Sequence, residues 1–188
     1  MAGATSDPVI VALDEYIMGG RTFDSLADVA EQFGGDTPAG RRALADAAGV
    51  SERTVQRWFV APGEINPRTG RPKERREFTR ARAAGQARAQ ARRRFVSTRI
   101  GEIRRRGFGM RLVAQRRVSA SIRVQEMPAS AGGIPSFVDI PGGRLSPVLN
   151  SWLAGEYEDA ADELVDVFFE TYGLIPDELG EIVLCQLR

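Results

Sequence analysis

The chain has no histidine and a single cysteine, Cys185. Without histidine, neither a Ser-His-Asp nor a Cys-His nucleophilic centre can be assembled, and histidine-bearing zinc sites are excluded. One cysteine cannot form an internal disulfide, and without histidine it cannot complete a structural zinc finger. Its place at the end of Ile182-Val183-Leu184-Cys185 reads as a small buried hydrophobe in a final strand. No run of about 18 apolar residues is present, so a membrane-spanning helix is not expected. The N-terminus lacks the basic-then-apolar order of a secretory signal, and no GxxxxGKS or GxxxxGKT phosphate loop occurs. Nothing calls for a cofactor or a metal, and the expected setting is the cytoplasm.

Lysine is scarce in the basic part of the chain, and this scarcity leads to the most informative pattern. The formal charge is +1, but it is unevenly distributed. Residues 1–40 carry one Arg against seven acids, residues 41–123 carry 23 basic residues against six acids, and residues 124–188 carry two Arg against twelve acids. The middle block is therefore +17 between ends of −6 and −10. Of its 23 cations only Lys73 is lysine. Arginine presents a planar fork that suits phosphate and guanine edges, where lysine is a point charge. A basic genome bias explains Arg over Lys but not the confinement of arginine to one block. The block is the electrostatic footprint expected for a nucleic acid.

The periodicity predicts an acidic helical segment over 1–36. Val9, Ile10, Leu13, Tyr16 and Ile17 share a face behind Pro8, and Phe23, Leu26, Ala27, Ala30 and Phe33 share another. Residues 37–60 read as helix, turn, helix. Pro38 sits in a first turn, Ala45 is small where the helices cross, and Gly49 can take the positive φ of the turn. Ser51 suits an N-cap, and Val55 and Trp58 face inward. Arg41 and Arg42, then Ser51, Glu52, Arg53, Gln56 and Arg57, are left to contact DNA. An ordinary helical hairpin with a capped second helix is the competing reading.

Residues 61–72 read as a Pro/Gly-rich linker and 73–110 as a long basic Arg/Ala-rich helix. The triplets Arg92-Arg93-Arg94 and Arg104-Arg105-Arg106 would contact phosphate. Residues 111–188 then read as a small β-β-α-α-β domain. One strand alternates through Val118, Ala120, Ile122 and Val124, a second covers Phe137 to Ile140, and two amphipathic helices precede the last strand. The acidic face of the second helix reads as a solvated face. The class is α+β, with a helical N-terminal region.

From about residue 42 onward this order of parts resembles the telomere terminal proteins that cap linear chromosomes and plasmids of Streptomyces and related actinobacteria. The carriers are Ala45-Asp46-Ala47-Ala48-Gly49-Val50-Ser51-Glu52-Arg53-Thr54-Val55-Gln56-Arg57-Trp58, the Arg/Ala-rich helix, the strand pair, the helix pair and the final strand. The resemblance implies a DNA-binding protein that serves as primer, its hydroxyl becoming joined to the 5′ end of the DNA. It implies replicon-end DNA, a DNA polymerase and a telomere-associated protein as partners, and nucleoid association; a homodimer is a further candidate state. The family's acceptor is a Thr in or near the turn between the two strands. This chain has no Thr between Thr98 and Thr171, so that turn offers Ser130, with Ser119 and Ser121 on the strand before it. In this reading the protein is a polymerase's substrate and not itself an enzyme. The alternative is a helix-turn-helix transcriptional regulator whose C-terminal domain dimerises or binds an effector. A serine recombinase or nickase is the third reading, without a visible pairing of Ser and acids.

Overall fold

The computed structural model describes residues 7–78, 82–118, 121–129, 135–173 and 179–188. Among them are seven helices and a four-stranded antiparallel sheet, an α+β architecture. No helix among the described residues is long and apolar enough to cross a membrane. The chain divides into two compact units, Met1–Gly20 together with Arg99–Arg188, and Arg21–Thr98. These divisions differ from the boundaries at 36, 60, 72 and 110 that composition predicts.

In the first, the sheet unit, α1 (Pro8–Met18) starts where the Asp7 carboxylate accepts the Val9 N–H at 2.7 Å. It ends at Gly19, whose φ of +59° lets its N–H reach the Glu15 carbonyl. Val9, Leu13 and Ile17 are buried at helical spacing. The helix packs against β4 (Leu179–Leu187) and α7 (Tyr157–Tyr172). α1 belongs to the sheet unit, and α2 (Leu26–Glu31) to the other.

β1 (Phe108–Val118) is the central strand. Met110 pairs with both Val138 and Leu187, and Leu112 with both Met127 and Cys185. β4 therefore holds one edge, while β2 (Ser121–Met127) and β3 (Val138–Ile140) share the other in succession. The pairing steps from Val113↔Leu184 to Ala114↔Ile182, which leaves Val183 as a bulged residue. Phe108, Met110, Leu112 and Ala114 face the core. They meet Leu145, Val148, Leu149 and Trp152 around α6 (Ser146–Ala154) and Leu164, Phe168 and Phe169 of α7 in one buried set. Burying each large side chain of this set contributes roughly 1.5–3 kcal/mol. Cys185 faces the same core opposite Leu112. Burial, and then the charge of Asp7, push its thiol pKa up to about 12.

The sequence predicts one strand through residues 118–125, whereas two strands, β1 and β2, meet there with Val118 opposite Ser121. The unit therefore runs β-β-β-α-α-β in place of the expected β-β-α-α-β. β1 carries a period-two pattern, Phe108, Met110, Leu112 and Ala114 against Gly109, Arg111, Val113 and Gln115, and part of its other face is also shielded. Arg111 on that face is only 7% exposed. Its guanidinium pairs with Glu126 at 2.8 Å and donates to the Gln186 side chain at 2.9 Å.

The second, helical unit holds α2, α3 (Pro38–Ala48), α4 (Glu52–Trp58) and the greater part of α5 (Arg82–Arg106). Ser25 caps α2 by accepting the Asp28 N–H at 3.1 Å. Because α2 begins only at Leu26, the buried residues are Val29, Ala30 and Phe33, and the predicted Ala27 is exposed. Phe23, at φ +56°, is held by burial against Phe95, ring centroids 5.5 Å apart. The predicted basic helix from residue 73 is shorter than expected at its start. Residues 73–77 are not helical, because the Arg76 N–H bonds the Arg57 carbonyl (3.0 Å) instead of a carbonyl one helical turn back. Ala84, Ala87 and Ala91 form a fully buried stripe on α5. Small residues there let the neighbouring backbone approach, as Gly49 does, whose missing Cβ would stand 3.5 Å from the Gln86 side chain.

Candidate nucleic-acid interface

The interface is built from local rules. Thr37 accepts the Gly40 N–H at 3.0 Å and opens α3. Gly49, at φ +65°, closes it, and the Val50 N–H reaches back to the Ala45 carbonyl at 3.0 Å. The Ser51 hydroxyl accepts the Thr54 N–H at 3.3 Å and starts α4. Val55 and Trp58 then turn into the core, at 0% and 5% exposure. Trp58 meets the edge of Phe78 with ring centroids 5.2 Å apart. Ser51, Glu52, Arg53 and Gln56 are left on the exposed face of α4.

The arginines predicted to bind DNA are not equivalent. Arg41 pairs with Asp36 at 3.0 Å and Arg42 with Glu52 at 2.9 Å. The hydrogen bond that Arg42 donates to Glu52, and the charge of Glu52, raise the Arg42 pKa. Glu52 thus has an arginine partner on the same surface. Arg57 pairs with Glu74 at 2.5 Å, its side chain 22% exposed. Arg53 stands exposed with no carboxylate partner among the described residues. Gln56 is exposed beside it and can bond an adenine edge in bidentate fashion.

Along α5 the two triplets fall in different units. All six arginines of the two triplets are exposed. Arg94 also lies over the Phe33 ring, 4.5 Å from its centroid, and donates to the Gln32 carbonyl. In the sheet unit Arg104 donates to Asn150 at 2.8 Å and Arg105 to the Gly101 carbonyl at 3.2 Å. Ser119 and Ser130 lie outside the described residues. Ser121 opens β2 opposite Val118, and its side chain lies outside the described set.

One element that composition reads as linker is ordered. Residues 64–73 form a short hairpin bridged at Ile65↔Pro72, with the Lys73 N–H on the Glu64 carbonyl at 2.7 Å. Asn66 closes its tip, accepting the Arg68 N–H on its side chain and the Gly70 N–H on its carbonyl, both at 2.9 Å. The available signal is Asn66-Pro67-Arg68-Thr69-Gly70, turn chemistry flanked by extended residues. The hairpin and α4 line a common cleft of 590 Å³, with Arg53, Gln56 and Arg57 on one wall and Asn66, Thr69 and Lys73 on the other. No group of three or more metal-ligating side chains occurs among the described residues. No family model, curated protein or solved structure matches the chain.

Proposed function

We propose that the helical unit binds double-stranded DNA through the exposed face of α4, and that the protein serves at replicon ends as the acceptor of the 5′ strand. The observation that carries the first half is the row Ser51, Arg53 and Gln56, presented by a short helix whose opposite side is anchored through Val55 and Trp58. The +17 charge of residues 41–123 supports it. The second half rests on the resemblance to the actinobacterial telomere terminal proteins. In that chemistry a side-chain hydroxyl, threonine in the family and the candidate Ser130 here, attacks the α-phosphorus of a nucleoside triphosphate. A phosphoester forms, pyrophosphate leaves, and the hydroxyl proton passes to a base of the partner polymerase, whose metal ions lower the barrier.

Arg53→Ala is expected to narrow the gap between preferred and random duplexes by about 1–3 kcal/mol. A competition binding assay in which the ranking of sites is unchanged would remove α4 from the base-reading role. The acceptor reading has its own test, independent of α4. Protein recovered from its native host in strong denaturant should enter a gel only after nuclease digestion, and mass spectrometry of the residual nucleotide should name the hydroxyl. Protein that runs freely without nuclease would leave the regulator reading in its place.

A further inference from the structure

We propose that the hairpin of residues 64–73 is a second DNA contact, gripping the phosphate backbone beside the groove that α4 enters. This rests on the DNA-binding reading above and assigns a role that composition alone, which reads the segment as linker, does not suggest. The argument begins with rigidity. The tip is closed by four bonds to Asn66: its N–H donates to the Arg71 carbonyl at 2.8 Å, and it accepts from the N–H groups of Arg68, Thr69 and Gly70. The base is fixed to α4 by the Arg57–Glu74 ion pair and by the Arg76 N–H on the Arg57 carbonyl. Just beyond, Phe78 is buried against Trp58. The hairpin is therefore held in place relative to the helix before any ligand arrives, and ordering it on binding costs little.

Charge supplies the chemistry. The two acids nearest the base are already matched, Glu64 by Lys73 and Glu74 by Arg57. The Lys73 hydrogen bond, helped by the Ala61 N–H, lowers the Glu64 pKa. Arg68 and Arg71, near the tip, are exposed and have no carboxylate partner among the described residues. The cleft between hairpin and α4 is lined by Arg53 and Gln56 on one side and by Thr69 on the other. A strand of duplex whose bases meet Arg53 and Gln56 thus has its phosphates on the hairpin side. Two unpaired guanidinium groups on a rigid turn suit phosphate oxygens, which fix register without choosing sequence.

The test uses the full chain and a labelled mixed-sequence duplex, with affinity followed as salt rises from about 50 to 200 mM. Arg68→Ala/Arg71→Ala is expected to reduce the slope of log K against log salt by about 1.8, so that over this range it loses about twelvefold less affinity than the parent. Arg68→Lys/Arg71→Lys should keep the parent slope, because charge and not fork geometry sets counterion release. A parent that binds with a steep slope and an alanine variant with the same slope would overturn the hairpin assignment while leaving α4 in place. A lysine variant that also loses the slope would overturn the phosphate assignment. A parent that does not bind duplex at all would overturn the DNA-binding reading and this inference with it.

Discussion

Trp58→Ala is expected to destabilise the helical unit by about 3–5 kcal/mol, a large share of the stability such a unit has. The indole is 5% exposed and rests edge-on against Phe78. Its removal leaves a cavity at the end of a helix of only seven residues. A helix that short has little stability of its own and depends on the burial of Val55 and Trp58. The loss should therefore reach Arg53 and Gln56 through the helix that carries them, and the hairpin through Phe78, so DNA affinity should fall with stability. The chain has two tryptophans, and the other, Trp152, lies in the sheet unit. In the variant, tryptophan fluorescence then follows the sheet unit alone, while circular dichroism in urea follows both. A single unshifted transition, with less than about 1 kcal/mol lost, would show that Trp58 is not the anchor of α4.

Gly107→Ala is expected to be the most damaging single-methyl change in the sheet unit. Gly107 stands at φ +71° between α5 and β1, its N–H on the Ile103 carbonyl at 2.8 Å. A Cβ there would run into the Ile140 carbonyl oxygen and stand 2.9 Å from the Gly142 nitrogen, both backbone atoms that cannot swing aside. The left-handed conformation costs a residue with a side chain about 1 kcal/mol, and displacing β3 from Phe108 raises the total to about 3 kcal/mol or more. Gly101→Ala is the matched comparison. It adds the same methyl inside α5, where nothing lies within 4 Å, and helix propensity makes it stabilising by about 0.5–1 kcal/mol. Thermal unfolding of the two variants should therefore move in opposite directions. If both move alike, the close approach of Gly107 to β3 is wrong.

What the sequence discloses follows the range of the interactions concerned. The helix-turn-helix is legible because each of its parts is decided within four residues: a cap at Ser51, a left-handed turn at Gly49, inward Val55 and Trp58. The amphipathic α6 and α7 are legible for the same reason, although Leu153, on the predicted inner face, is 51% exposed. β1 alternates from Phe108 to Ala114 but is obscured because Arg111, Arg116 and Arg117 continue the basic run of α5 into it, and the partners of Arg111 lie on β2 and β4. The assignment of α1 to the sheet depends on a strand at the far end of the chain. The Ala84, Ala87 and Ala91 stripe has a readable spacing, but alanine in an Arg-rich helix is easily taken for mere helix propensity. For the proposed DNA-contact residues, type and face are readable in the sequence but occupancy is not. Only distances reveal that Arg41, Arg42 and Arg57 have acidic partners while Arg53, Arg68 and Arg71 have none among the described residues.

The split composition of the sheet unit has a consequence for the order in which the protein comes into being. α1 leaves the ribosome before the other elements, yet the strand it packs on, β4, is made after all of them. The helical unit is complete at Thr98, and β4 ends at Leu187, 89 residues later. At typical elongation rates that interval is about 5–18 s, far longer than a small helical domain needs to fold. On the proposed function, the helical unit thus has time to fold and engage a duplex while α1, with its apolar face still uncovered, waits for its partner strand.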